Sequence, residues 1–147
     1  METRFSFEKA SPAAYAAMVE LEKFLAKAGV KKSLLELLKI RASQINGCGF
    51  CIDMHTGIAR QLGETERRLY ALSAWRETPF FSAEERAALA VTEALTQVAQ
   101  QQLPDEIYNE ARRFFDETAL TEIIMVIATI NAWNRIAISL GAHSERG

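Results

Sequence analysis

Cys48 and Cys51 are the only two cysteines in the chain, and they stand three residues apart in Asn46-Gly47-Cys48-Gly49-Phe50-Cys51-Ile52-Asp53-Met54-His55. One turn of helix brings the sulfurs of a Cys-x-x-Cys pair within bonding reach. Placed just after the Asn46-Gly47 turn, the pair falls at a helix N-terminus, where partial positive charge favours thiolate, the nucleophilic form. His55 follows Cys51 by four residues, so the two side chains project from one helical face. An imidazole there can take the Cys51 proton or hold the thiolate as an ion pair.

Glu36 lies twelve residues before Cys48. On one straight helix that is ~18 Å at 1.5 Å per residue, out of range. If the chain folds back at Asn46-Gly47, however, Glu36 and His55 reach similar depth on facing antiparallel helices. The four residues then make a nucleophile, base and orienting carboxylate with a second thiol beside them. Other readings compete. Ser33 with Glu36 three residues on is a capping-box pattern, which gives Glu36 a purely local role. Cys48, Cys51, His55 and Glu36 are also ligand types for zinc, although structural zinc sites draw on two separated pairs and the chain has no second one. The cysteines could also be inert buried residues. His143 reads as an exposed tail residue, and Asp53 as a solvated or helix-start charge.

The elements that must position these groups are helices. Ser11-Pro12 is an N-cap followed by proline at the first helical position, and Gly29 closes that segment. A second helix starts at Ser33 and ends at Asn46-Gly47, and a third runs from Cys48 to Leu62. A fourth spans Thr65 to Glu77, ended by Thr78-Pro79. Ser82 with Glu85 is a capping box opening a fifth helix to about Gln101, and Pro104 to Asp116 makes a sixth. The seventh, Ala119 to Leu140, is apolar most of the way round and needs cover on several sides, part of it from another subunit. Glu122, Asn131, Asn134 and Arg135 tell against its spanning a membrane. Trp75 and Trp133 read first as core or interface residues and second as pocket walls. The expectation is an all-α fold, one domain over 1–147, with six to seven helices and an oligomeric state.

Composition agrees with that class. The 147 residues are 49% apolar and 24% charged, with 17 Lys+Arg against 19 Asp+Glu, a net charge of −2. Such a chain is globular rather than disordered, and it lacks the basic footprint of a nucleic-acid or anionic-membrane binder. The charged start, Met-Glu-Thr-Arg-Phe-Ser-Phe-Glu-Lys, has no signal-peptide core, which makes the cytoplasm the expected compartment. Two cysteines cannot form the disulfide framework of a small secreted protein.

The spacing Glu36, Cys48-x-x-Cys51, His55 resembles the active-site pattern of the alkylhydroperoxidase D-like proteins of the carboxymuconolactone decarboxylase superfamily. Arg41-Ala42-Ser43-Gln44-Ile45-Asn46-Gly47-Cys48 is similar to the family's helix leading into the cysteines. Residues 68–77 and Ile130-Asn131-Ala132-Trp133-Asn134-Arg135 resemble stretches of one subgroup. The resemblance implies an all-helical fold, trimers or hexamers, and a thiol-dependent peroxidase acting on organic hydroperoxides or hydrogen peroxide. It implies that Cys51 attacks the peroxide and becomes a sulfenic acid, that Cys48 donates a proton and closes the disulfide, and that Glu36 and His55 relay the proton. An external dithiol or protein reductant would reset the cycle, and no cofactor is expected. One position departs from the pattern: family peroxidases carry a further histidine between the cysteines, where this chain has Phe50. The alternatives are a disulfide reductase or redox relay acting on another protein, and a metal-binding helical oligomer without peroxidase activity.

Overall fold

The computed structural model describes residues 2–144; the first residue and the last three of the expected domain lie outside the described residues. The chain folds as α1 (Phe7–Ala10), α2 (Pro12–Ala26), α3 (Lys32–Asn46), α4 (Gly49–Gln61), α5 (Glu66–Ala71), a 3-10 helix (Leu72–Glu77), α6 (Ala83–Thr96), α7 (Val98–Gln101), α8 (Asp105–Arg112) and α9 (Glu117–Leu140). The described residues contain no strand. Among the described residues nine α-helices replace the six to seven expected. Two differences account for this. The four-residue α1 was too short to show a period, and the expected fifth helix breaks at Gln97, whose φ of −103° and ψ of 36° separate α6 from α7. The expected fourth helix also changes character, tightening to 3-10 geometry after Ala71.

Capping residues set most of the starts. Ser11 accepts the Ala14 N–H with Pro12 in the first turn, Thr65 accepts from Arg68, and Asp116 accepts from Ala119. The Ser82–Glu85 capping box forms in both directions. The Ser33–Glu36 box does not form. The cap of helix α3 lies two residues earlier, at Lys31, with no side-chain cap bond, so Glu36 lies past the first turn and is free to face another helix.

Helix α3 is the centre of the fold, packed against α4, α6 and α9. Its Leu34, Leu35, Leu37, Leu38 and Ile40 join Leu72, Leu89, Val91, Ile123 and Val126 in the main core. A smaller apolar cluster, Ala42, Cys48, Cys51, Ile130 and Ala137, surrounds the cysteines, with Phe50, Trp133 and Ala142 packed on it. Burial of this kind contributes about 25 cal/mol per Å² of apolar area, and it fixes the α3–α4 hairpin against α9.

By length and composition α9 is apolar enough to cross a membrane. Its polar residues nevertheless have protein partners. Glu122 accepts the Gly29 and Val30 N–H groups at 3.1 and 3.0 Å, locking the α2–α3 loop to the helix. Asn46 donates to both Asn131 and Asn134 at 2.9 Å, and Asn134 donates to Ser43 Oγ at 3.0 Å. Arg135 donates to the Asn131 carbonyl. The asparagines thus pin the end of α3 immediately before the cysteine turn.

Candidate active site

The α3–α4 turn depends on one backbone conformation. Gly47 has φ +71°, the left-handed region in which a residue with a Cβ is strained. The Cys48 N–H then closes α3 by bonding the Ser43 carbonyl at 3.0 Å. On its other side Cys48 is the N-cap of α4, its sulfur accepting the Cys51 N–H at 3.4 Å. One residue therefore ends one helix and starts the next. The two cysteines are joined as a disulfide, with Cα atoms 5.3 Å apart.

Folding back at Gly47 puts Glu36 and His55 on facing helices at equal depth. His55 Nδ1 lies 2.8 Å from Glu36 Oε2. Glu36 is only 6% exposed and His55 is buried with it. The second Glu36 oxygen, Oε1, accepts from Lys39 Nζ at 3.1 Å. Burial pushes the Glu36 carboxyl up. The His55 hydrogen bond and the nearby Lys39 ammonium more than reverse that and hold it below the ordinary glutamate value. With Glu36 ionised, the shared proton belongs to His55 Nδ1, which leaves Nε2 as the ring's free position.

These groups open on a cleft of about 410 Å³. Cys51, His55, Lys39 and Glu22 supply its polar and sulfur-bearing lining. Tyr15, Phe50, Met54, Ile58 and Trp133 supply apolar walls. Cys51 lines the cleft and Cys48 does not. Cys48, although it stands at the helix start, is only 2% exposed, against 4% for Cys51. Its burial follows from its double capping role and from Ala42, Ile130 and Ala137 packing around it.

Of the predicted site residues, Glu36, Cys48, Cys51 and His55 come together. Phe50, at the departure from the family pattern, packs beside the cysteines and forms part of the cleft wall. His143 is exposed, next to Thr3 Oγ1 and the Gly141 carbonyl, and Asp53 is exposed and accepts from Ser144 Oγ. Trp133 is a cleft wall and Trp75 a core residue. Among the described residues no three His, Cys, Asp or Glu side chains converge as a metal site. Sequence reasoning missed Lys39, Glu22 and Tyr15. The available signal was Lys39, a charge three residues after Glu36 inside the apolar stripe of α3.

Known proteins place this arrangement. The model of the carboxymuconolactone decarboxylase family matches residues 12–94, which includes α3, the cysteine pair and His55. The chain is 43% identical over 141 residues to the uncharacterized protein YdfG of Bacillus subtilis (strain 168), covering 96% of each. Its structure is similar to that of ATU0492 from Agrobacterium tumefaciens, a protein of unknown function described as a candidate antioxidant-defence AhpD, with TM-score 0.96 and 36% identity over 99% of this chain and 100% of that one. It is similar as well to the debrominase Bmp8, at TM-score 0.82 and 25% identity, covering 92% of this chain and 73% of that one. With its helices in the same arrangement and the family model spanning more than half its length, the chain belongs to the carboxymuconolactone decarboxylase family, as an alkylhydroperoxidase D-like member.

Proposed function

We propose that this protein is a dithiol peroxidase of one domain that reduces hydroperoxides at Cys51. In the first step the Cys51 thiolate attacks the outer peroxide oxygen, and the O–O bond breaks. Cys51 becomes a sulfenic acid, and the alcohol (or water) leaves with a proton relayed through His55. In the second step the Cys48 thiol attacks the Cys51 sulfur, releasing water and closing the disulfide. An external dithiol then exchanges with that disulfide, leaving as its own disulfide and restoring both thiols. The observation that carries the reading is the buried Glu36–His55 hydrogen bond at 2.8 Å beside a cleft that Cys51, but not its partner, enters.

The test is a thiol count on reduced protein before and after one equivalent of cumene hydroperoxide, followed by turnover with dithiothreitol. Loss of two thiols together and continued consumption of peroxide support the reading. Thiols that persist overturn it.

A second reading draws on the aromatic and apolar cleft walls and the likeness to a debrominase. The same dithiol could supply the two electrons that replace a ring-bound halogen by hydrogen, releasing halide and closing the same disulfide. Halide release from a bromopyrrole without peroxide consumption would select it.

We also propose that the protein is a homo-oligomer, a trimer or hexamer. Ile124, Ala128 and Ile138 of α9 and Val98 of α7 leave apolar side chains exposed on one side of the subunit. A stable monomer by sedimentation at micromolar concentration would overturn it.

A further inference from the structure

We propose that Lys39 is a positioning residue for the Glu36–His55 pair, and that Glu22 in turn positions Lys39. The inference deepens the peroxidase reading, since it concerns the same relay, but it is tested without peroxide.

Lys39 is only 8% exposed, in a stretch of α3 whose neighbours Leu37, Leu38 and Ile40 are all core residues. A buried ammonium is costly unless it is paired and hydrogen-bonded. Here it is held between two carboxylates, Glu36 Oε1 at 3.1 Å and Glu22 Oε2 at 3.7 Å. A lysine kept for packing alone could be replaced by an apolar residue of similar length with no charge to bury.

What the ammonium does follows from the two Glu36 oxygens. One faces Lys39 and the other faces His55, so the carboxylate plane is fixed from both sides and cannot rotate away from the imidazole. The positive charge also keeps Glu36 an acceptor. Without it, a buried carboxylate with one remaining partner would take up a proton more readily and cease to orient His55.

Glu22 sets the strength of that effect. Its Oε2 faces Lys39, and its Oε1 accepts the Trp133 indole N–H at 3.0 Å, so α9 fixes it in place. The charged and titratable groups around Glu36 are therefore His55 from α4, Lys39 from α3 itself, and Glu22 from α2, with Tyr15 of α2 on the same cleft. Glu22 and Lys39 oppose one another, and removing either should move the site in opposite directions.

The experiment uses reduced Cys48→Ser protein, in which serine still serves as an N-cap, and follows iodoacetamide labelling of Cys51 against pH by peptide mass. Lys39→Met should raise the midpoint of the acid limb by about one pH unit. Lys39→Arg, which keeps the charge, should hold it within about 0.3 unit of the parent. Glu22→Gln keeps an oxygen for Trp133 and should lower the midpoint by about 0.3–0.5 unit. A merely structural role lowers the unfolding temperature of Lys39→Met and Glu22→Gln without giving midpoint shifts of opposite sign. Unmoved midpoints, or shifts of the same sign, overturn the proposal. Should Lys39→Met fail to fold, Glu22→Gln decides alone: a lowered midpoint upholds the inference and an unmoved or raised one overturns it. A wild type that labels as expected but consumes no peroxide removes the peroxidase reading and leaves these shifts standing.

Discussion

Helix α3 carries a glutamate-centred cluster on each of two faces, and the clusters differ in the cations that surround them. On the face toward α4, Glu36 is held by a histidine and a lysine beside the cleft. On the face toward α6, Glu93 accepts from Arg41 Nε at 2.9 Å and from Trp75 Nε1 at 2.7 Å, and its other oxygen accepts from Arg76. Burial pushes both carboxyls up and their donors pull both below the ordinary glutamate value. The donors around Glu93 never change charge near neutral pH, because guanidinium stays protonated and indole does not titrate. Those around Glu36 include an imidazole, whose ordinary range straddles neutral pH. One cluster is a fixed tie joining α3, the 3-10 helix and α6. The other pairs an ionised carboxylate with an imidazole, the arrangement the proposed relay needs, and it has a disulfide next to it.

The comparison breaks most decisively at the sulfurs. Cys51→Ser should abolish peroxide-dependent oxidation, since Cys48 is buried away from the cleft and has no histidine four residues on. Cys48→Ser should instead trap a sulfenic acid on Cys51 after one equivalent of hydroperoxide, detected by dimedone labelling and peptide mass. Dimedone found mainly on Cys48 in the Cys51→Ser protein would reverse the assignment of roles.

The next effect falls on the proposed relay. Glu36→Gln keeps the size of the side chain and an oxygen for His55 but loses the charge. Labelling of Cys51 by iodoacetamide at pH 7 should slow on the order of tenfold, the equivalent of one pKa unit. Equal rates in the two proteins would make Glu36 a structural residue.

How much of this was legible beforehand depended on whether the signal was local. The Ser11-Pro12, Thr65 and Ser82–Glu85 starts were readable because a cap is made by residues within one turn of each other. The Glu36–His55 contact was readable because a single Asn-Gly turn fixes an antiparallel hairpin, and spacing on each side then sets the depth. The Ser33–Glu36 box failed for a tertiary reason: Glu36 does more for the fold by facing His55 and Lys39 than by closing a helix end. The burial of Cys48 was hidden for the same kind of reason, since the cover comes from Ile130 and Ala137, more than eighty residues away. Lys39 and Glu22 were missed because nothing near them in sequence says that α2 meets α3 at that level. Helices of four residues such as α1 and α7 carry too few positions for a period to appear.

A smaller effect is expected at the fixed tie. Glu93→Gln removes the charge that three donors share, and hydrogen bonds to charged groups contribute about 1.5–3 kcal/mol each. The glutamine still accepts from one or two of those donors, so the net cost should be about 2 kcal/mol in denaturant unfolding. Cys51 labelling should be unchanged, because Glu93 contacts neither the cleft nor the relay. A labelling rate that falls with stability would mean that the two clusters are coupled through α3, and the contrast between them would have to be given up.

The smallest effect is how that stability difference varies with pH. Glu93 is depressed in the folded state, so the unfolded chain binds its proton first as the solution is acidified. The stability due to the charge is therefore complete above the unfolded value, about 4.3, and drains away as pH falls through the lower folded value. A glutamine in its place has no proton to gain, so the gap between Glu93→Gln and the wild type should stay constant from pH 7 to about 5 and narrow below about 4. Urea unfolding of the two proteins at stepped pH reads this directly. A gap that keeps its size at pH 3 would assign the cost to lost hydrogen-bond geometry rather than to charge, and Glu93 would then be a packing residue with polar contacts instead of the anion that ties α3, the 3-10 helix and α6 together.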